Sequence, residues 1–95
     1  MSQEYLSLAI WEPVPGMEAA SLMTLRELGE LIAGKGYGRD LLYHSGAQYV
    51  LLRYWRSEQA RTAAQEDPEL LRCWARLGNE IRILKVYEKL EEIGV

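Results

Sequence analysis

The chain carries few side chains that could perform acid–base or nucleophilic chemistry. Histidine exchanges a proton readily near neutral pH, and His44, the single histidine, is therefore the candidate general base. It stands next to a predicted hairpin turn, where an ordinary solvent-exposed histidine is the alternative. The single cysteine, Cys73, is interpreted as a buried, unreactive thiol. One cysteine excludes an internal disulfide and a cysteine-based zinc site, and no metal site is predicted.

Aromatic side chains are the second group that could serve a site. Their flat rings could stack a planar ligand, such as a small aromatic compound. Packing in the core or in a dimer interface is the alternative use of the same rings. The candidate substrate-pocket residues of this kind are Trp11, Tyr43, Trp55 and Trp74.

Arg53 is the remaining candidate, because it places a charge inside the otherwise apolar stretch Tyr49–Trp55. One interpretation pairs it with an acid across the sheet or across a dimer, with Glu12, Asp40 or Glu88 as the possible partners. The other assigns it to the substrate pocket, where its guanidinium would hold an anionic group.

Length and composition limit the classes of protein to consider. Ninety-five residues make a single domain, residues 1–95, because half of that length could not build a second core. The net charge of -3 and the absence of a Lys/Arg cluster argue against nucleic acid as a partner. The N-terminal stretch lacks the features of a signal peptide or a membrane span. A cytoplasmic protein that does not bind membranes is therefore expected, in keeping with one unpaired cysteine.

Hydrophobic periodicity and turn signals predict seven elements that could position these residues. Ser57 and Asp67-Pro68 are strong helix starts. The glycines between Gly34 and Gly38 follow a helix and precede a strand, so they indicate a turn rather than a phosphate-binding loop. The predicted elements are strand Tyr5–Trp11, helix Met17–Ala33, strands Tyr37–Ser45 and Tyr49–Trp55, helices Glu58–Glu66 and Pro68–Leu77, and strand Glu80–Leu90.

This order of elements predicts an α+β fold of the ferredoxin-like βαββαβ type, with a four-stranded antiparallel sheet and the helices on one face. The last strand is expected to alternate, with Ile81 and Ile83 opposite Leu84 and Val86. The opposite face of the sheet would carry more apolar surface than a monomer usually exposes. A homodimer with the two sheets facing each other is therefore expected.

Three segments together resemble the antibiotic-biosynthesis-monooxygenase (ABM) superfamily of dimeric α/β barrels. They are YLSLAIWEPVPG, YVLLRYWRSEQA and DPELLRCWARL, and the resemblance that rests on them extends over nearly the whole chain. The resemblance implies a dimeric α/β barrel. Members of that superfamily known to be enzymes carry out cofactor-free oxygenation of polyketide aromatics or quinols, or haem degradation, and many other members have no assigned activity.

The haem-degrading branch of that superfamily places an Asn, a Trp and a haem-ligating His at positions that match Ala9, Ala64 and Trp74 here. All three residues differ, and an indole at position 74 offers no axial ligand. No cofactor is therefore predicted. The expected function is cofactor-free monooxygenation of a small aromatic or quinol-type compound in a pocket beside Trp74. The alternative is a non-catalytic dimeric module that binds a small molecule or simply assembles.

Overall fold

In the computed structural model, which describes residues 4–95, strands and helices follow the predicted order. The bounds agree with the prediction to within two residues at each end. The elements are β1 Tyr5–Pro13, α1 Glu18–Gly34, β2 Gly38–Ser45, β3 Gln48–Trp55, α2 Glu58–Gln65, α3 Pro68–Leu77 and β4 Ile81–Leu90.

The four strands form one antiparallel sheet in the order β2-β3-β1-β4. Strands β2 and β3 are a hairpin closed by the pair Ser45 and Gln48. Gly46 in its turn has φ of 58°, a left-handed conformation that suits glycine. The predicted α+β, ferredoxin-like sheet is therefore confirmed.

The helices cover one face of this sheet and enclose the core. Helix α1 buries Ser21, Leu25, Leu28 and Ile32, which is the apolar face predicted from 3.6-residue periodicity. Helix α3 buries Leu70, Cys73 and Leu77. Full burial of each large aliphatic side chain contributes about 1.5–3 kcal/mol. Trp11 and Trp55 of the sheet complete this core.

The predicted start and stop signals act as expected. The Ser57 side chain accepts a hydrogen bond of 3.0 Å from the Ala60 backbone N–H at the start of α2. Asp67 accepts one of 3.0 Å from the Glu69 N–H at the start of α3. Gly36 lies in the turn after α1 with φ of 75°, so the glycines form a helix end and turn, as predicted.

Strand β4 departs from the predicted alternation. Strict alternation would put Ile83 and Val86 on opposite faces of the sheet, but Ile83 lies opposite Trp11 and Val86 lies opposite Ala9. Because β4 uses one more residue than β1 between these pairs, it contains a β-bulge that resets the alternation. Both side chains consequently face the helices, and the predicted alternation is wrong at this point.

The other face of the sheet is apolar and no helix covers it. Leu41, Leu52 and Leu8 lie in register across β2, β3 and β1, and Tyr87 continues the row on β4. Strand β3 is apolar along most of its length, although the helices cover only one of its faces. We call this surface the open sheet face; its apolar residues are Leu6, Leu8, Ile10, Leu41, Tyr43, Val50, Leu52, Tyr54 and Tyr87.

Candidate functional site

A cavity of about 200 Å³ lies between the helix-covered face of the sheet and helices α2 and α3. Its floor is formed by β1, β3 and β4, where Ser7 and Ala9 have side chains too small to fill the space. Small residues at these positions thus leave room beneath the helices. The lining residues are Ser7, Leu8, Ala9, Leu51, Arg53, Trp55, Arg61, Gln65, Trp74, Val86 and Glu88.

Arg53 forms a buried, two-pronged ion pair with Asp40 on the neighbouring strand β2. Its Nε donates to Asp40 Oδ1 at 2.7 Å and its Nη2 donates to Oδ2 at 2.8 Å, and both side chains are about 10% exposed. Of the three acids proposed from the sequence, Asp40 is therefore the partner. The guanidinium carbon also lies 5.5 Å from the ring centroid of Trp55, within cation–π range.

Ser7 fixes the orientation of the Trp55 indole. Its hydroxyl accepts a hydrogen bond of 2.9 Å from Trp55 Nε1 and donates one of 2.6 Å to the backbone carbonyl of Glu88. The indole N–H is thus satisfied although Trp55 is buried. This positioning role of Ser7 was not predicted from the sequence.

Helices α2 and α3 form the roof of the cavity. Trp74 on α3 is half-buried, and α2 contributes Arg61 and Gln65, which share a face because they are four residues apart. Arg61 Nη2 lies 3.7 Å from Glu88 Oε2 on β4. Arg61 and Gln65 were not predicted, although the i, i+4 spacing after a capped helix start was a usable signal.

The structure does not bring the other predicted site residues to this cavity. Trp11 is buried and stacks on Tyr49, with 4.7 Å between ring centroids. His44 is exposed in the hairpin, 6.1 Å from the Tyr49 ring. Tyr43 is 56% exposed and belongs to the open sheet face. The proposed pocket role of these residues, and of His44 as its general base, therefore has no geometric support.

The positions compared with haem-degrading proteins do lie around the cavity. Ala9 and Trp74 line it, and Ala64 is fully buried in α2. The cavity consequently presents a methyl group and an indole where that resemblance would require an amide and an imidazole. Between residues 4 and 95, no three His, Cys, Asp or Glu side chains come together in a way that could hold a metal ion.

The clearest pKa shifts belong to a polar cluster outside the cavity, between the turn after α1 and the start of α3. Lys35 donates to Asp67 at 2.8 Å and to Glu69 at 2.7 Å, and the Tyr37 hydroxyl donates to Asp67 at 2.9 Å. The hydrogen bond from Lys35 lowers the pKa of Asp67 to about 2, and the bond to Asp67 raises the pKa of Lys35. This cluster ties two elements together.

The Cys73 thiol has a pKa raised first by burial and then by the nearby Glu27 carboxylate. A thiol that stays protonated is a poor nucleophile. This agrees with the predicted buried, unreactive cysteine.

Comparison with solved structures identifies proteins with the same fold. PA3566 from Pseudomonas aeruginosa matches with a TM-score of 0.79 at 19% identity, over 99% of this chain and 98% of that one. SnoaB, a cofactor-independent oxygenase from Streptomyces nogalater, matches with a TM-score of 0.78 at 14% identity, over 97% and 98% of the two chains.

A protein from Chloroflexus aurantiacus, named as a candidate antibiotic biosynthesis monooxygenase, matches with a TM-score of 0.77 at 14% identity, over 97% of this chain and 96% of that one. No protein-family model matches the chain, and no curated protein matches its sequence. Within residues 4–95, no helix combines the length and apolarity needed to cross a membrane. At these identities the likeness establishes that the chain has the fold of ABM structures.

Proposed function

We propose that this chain is a member of the ABM superfamily and a cofactor-free monooxygenase acting on a small aromatic or quinol-type compound. The observation that carries the proposal is the cavity beside Trp74, which is lined by Trp55, Trp74 and Arg53. It lies within a fold shared with a cofactor-independent oxygenase. A cytoplasmic location is part of the proposal, supported by the single unpaired cysteine.

In this chemistry the substrate supplies the electrons. An activated CH₂ group, which a quinol offers in its keto tautomer, loses a proton, and the resulting carbanion passes one electron to O₂. The two radicals combine to form a C–O bond, and the peroxide then loses water to leave a carbonyl. The overall reaction, R₂CH₂ + O₂ → R₂C=O + H₂O, requires the protein to orient the ring, accept a proton and exclude bulk water.

The lining residues supply these functions as follows. The indoles of Trp74 and Trp55 give the substrate ring flat apolar surfaces. Arg53 stabilises the negative charge that develops when the substrate loses its proton. Glu88 is the carboxylate on the cavity wall, and in this proposal it accepts that proton directly or through water.

The test is oxygen uptake with a panel of small quinols and anthrones. We expect turnover by the native protein, and we expect Trp74→Ala to lower kcat/KM by roughly tenfold because it removes a stacking surface. Leu71→Ala is the matched control, since Leu71 is 47% exposed on the same helix and does not line the cavity. Uptake no greater than that of the unfolded protein would refute the oxygenase.

We further propose that the chain forms a homodimer through the open sheet face. The leucine and tyrosine rows of that face make it apolar, although monomers rarely expose apolar patches larger than a few hundred Å². Covering it with a second copy would remove both surfaces from water. Analytical ultracentrifugation should give a dimer at micromolar concentration, and a monomer would contradict the proposal.

The second candidate is a non-catalytic dimeric module that binds a small molecule. It is favoured by one observation: the side chain of Glu88, the carboxylate on the cavity wall, is 76% exposed rather than enclosed. A thermal-shift screen with small metabolites separates the candidates. A ligand at a hundred times its dissociation constant adds about 2.7 kcal/mol of stability, and binding without oxygen uptake would favour this module.

A further inference from the structure

The charged groups around the cavity are distributed unevenly. Arg53 and Arg61 both line it, whereas Asp40, which pairs with Arg53, lies behind Arg53 and lines a separate groove between α1 and β2. Glu88 is the only lining carboxylate among residues 4–95. The cavity wall therefore carries two arginine side chains and one carboxylate.

Arg53 keeps one donor group for a ligand. Asp40 occupies its Nε and Nη2, and this pair fixes the plane of the guanidinium. Its Nη1 donates to no protein group within residues 4–95. A rigid arginine with a spare nitrogen in the wall of a cavity is suited to bind an oxyanion.

Arg61 is held only loosely by its protein partner. Its 3.7 Å separation from Glu88 exceeds hydrogen-bond length, and the Glu88 side chain is 76% exposed. Ion pairs of this kind contribute little stability, because water screens them and long side chains lose freedom in forming them. An anion inside the cavity can therefore compete with Glu88 for Arg61.

The remaining polar groups and the volume restrict the ligand further. The Ser7 hydroxyl already accepts from Trp55 and donates to the Glu88 backbone, so it offers no free donor. A cavity of about 150 Å³ is known to hold benzene, and this one measures about 200 Å³. It therefore encloses one aromatic ring with a small substituent, and any larger ring system would have to extend through its open side.

We propose that the cavity binds a single-ring aromatic compound that carries an oxyanion, with the ring against Trp74 and the anionic oxygen between Arg53 Nη1 and Arg61. This inference rests on the proposed function, because it takes the cavity as the ligand site. It adds a preference for anionic single-ring compounds, which the fold alone does not specify.

The experiment compares benzoate with benzamide, which have the same shape and differ in charge. Isothermal titration should give benzoate a dissociation constant at least about tenfold lower than benzamide, since a charge-assisted hydrogen bond is stronger than a neutral one. Arg61→Gln should remove most of that difference. Arg72→Gln is the matched control, because Arg72 is exposed and does not line the cavity.

Arg53 requires a double variant, since replacing it alone would leave Asp40 buried and unpaired. Arg53→Gln with Asp40→Asn removes both charges and should likewise abolish the preference for benzoate. Circular dichroism checks that this variant is folded. If it is not, the Arg61→Gln comparison alone decides the inference.

Oxygen uptake with hydroquinone and 2,5-dihydroxybenzoate separates this inference from the proposed function. A preference for benzoate that depends on Arg61, without oxygen uptake, would support the inference and count against the oxygenase. Equal binding of benzoate and benzamide would overturn the inference and leave the oxygenase standing. Binding of neither compound, with no oxygen uptake, would refute both.

Discussion

The two faces of the sheet differ in the side chains they carry and in what covers them. On the helix-covered face, the polar groups beside the cavity have partners: Asp40 pairs with Arg53, and Ser7 accepts from the Trp55 indole. The open sheet face instead presents rows of leucine and tyrosine that no element within residues 4–95 covers. Fixed polar groups around a cavity suit ligand chemistry, whereas a broad apolar surface suits assembly.

The largest expected effect comes from introducing aspartate at either of two adjacent positions whose side chains lie on opposite faces of the sheet. Leu51 is buried under the helices and Leu52 belongs to the open sheet face. Leu51→Asp should unfold the protein, because replacing a buried leucine even by alanine costs about 2–5 kcal/mol and a buried charge costs more. Leu52→Asp should leave a folded monomer. Circular dichroism and sedimentation measure both, and equal loss of structure would contradict the distinction between the faces.

The buried ion pair should give the next largest effect. Asp40→Ala should lower the free energy of unfolding by about 3–5 kcal/mol, because it leaves the Arg53 charge buried without a partner. Glu27→Ala is the control, since Glu27 pairs with Arg76 at the surface and such pairs contribute about 1 kcal/mol or less. Urea denaturation measures both variants. Equal losses would mean that burial does not govern these pairs.

A smaller effect, dependent on pH, is expected at the Asp67 cluster on the helix side. The pKa of Asp67 is lowered to about 2 from an ordinary 3.8. Its stabilising charge is therefore fully present above about pH 4 and is lost as the pH falls toward 2. Asp67→Asn keeps a helix-capping side chain but removes the charge. Its melting temperature should be lower than that of the native protein at pH 6 and should converge with it near pH 2.

At the high-pH end the sign reverses for Lys35, whose pKa is raised. The contribution of its charge is intact below its ordinary value of 10.5 and declines only above it. The Asp67→Asn difference should therefore stay constant between pH 6 and 9. A difference that changed within that range would point to another titrating group.

The smallest effect is expected at His44. Because it is exposed in the hairpin and does not line the cavity, His44→Ala should change the free energy of unfolding by about 0.5 kcal/mol or less. It should leave oxygen uptake unchanged. A large fall in uptake, with the fold intact, would restore His44 as the candidate base.

The fold was predictable because its signals are local. Ser57, Asp67 and the glycines after α1 each act within a few residues of themselves, and alternation assigns faces within a strand. The grouping of site residues depends on register instead. Trp11 and Trp55 share a face, yet they sit at opposite ends of the β1–β3 pair. No local sequence pattern predicts at which end of this strand pair the cavity lies.

Arg53 also shows that the sequence does not predict the register of the strands. One interpretation of the sequence paired Arg53 with an acid, and it offered three candidates on three strands. Only the β2–β3 register, which places Asp40 opposite Arg53, selects among them. Register also decides the position of Tyr43, which it turns to the open sheet face and away from the cavity.

Because of the bulge in β4, the number of residues in this strand determines which of its side chains face the helices. Deleting one residue at Leu84 or Lys85 would leave the composition of the strand almost unchanged. It would nevertheless turn either the segment before the bulge or the segment after it to the other side of the sheet. In the second case Val86 and Glu88 would leave the cavity wall. Among homologous chains, gaps at this point should therefore be rarer than substitutions.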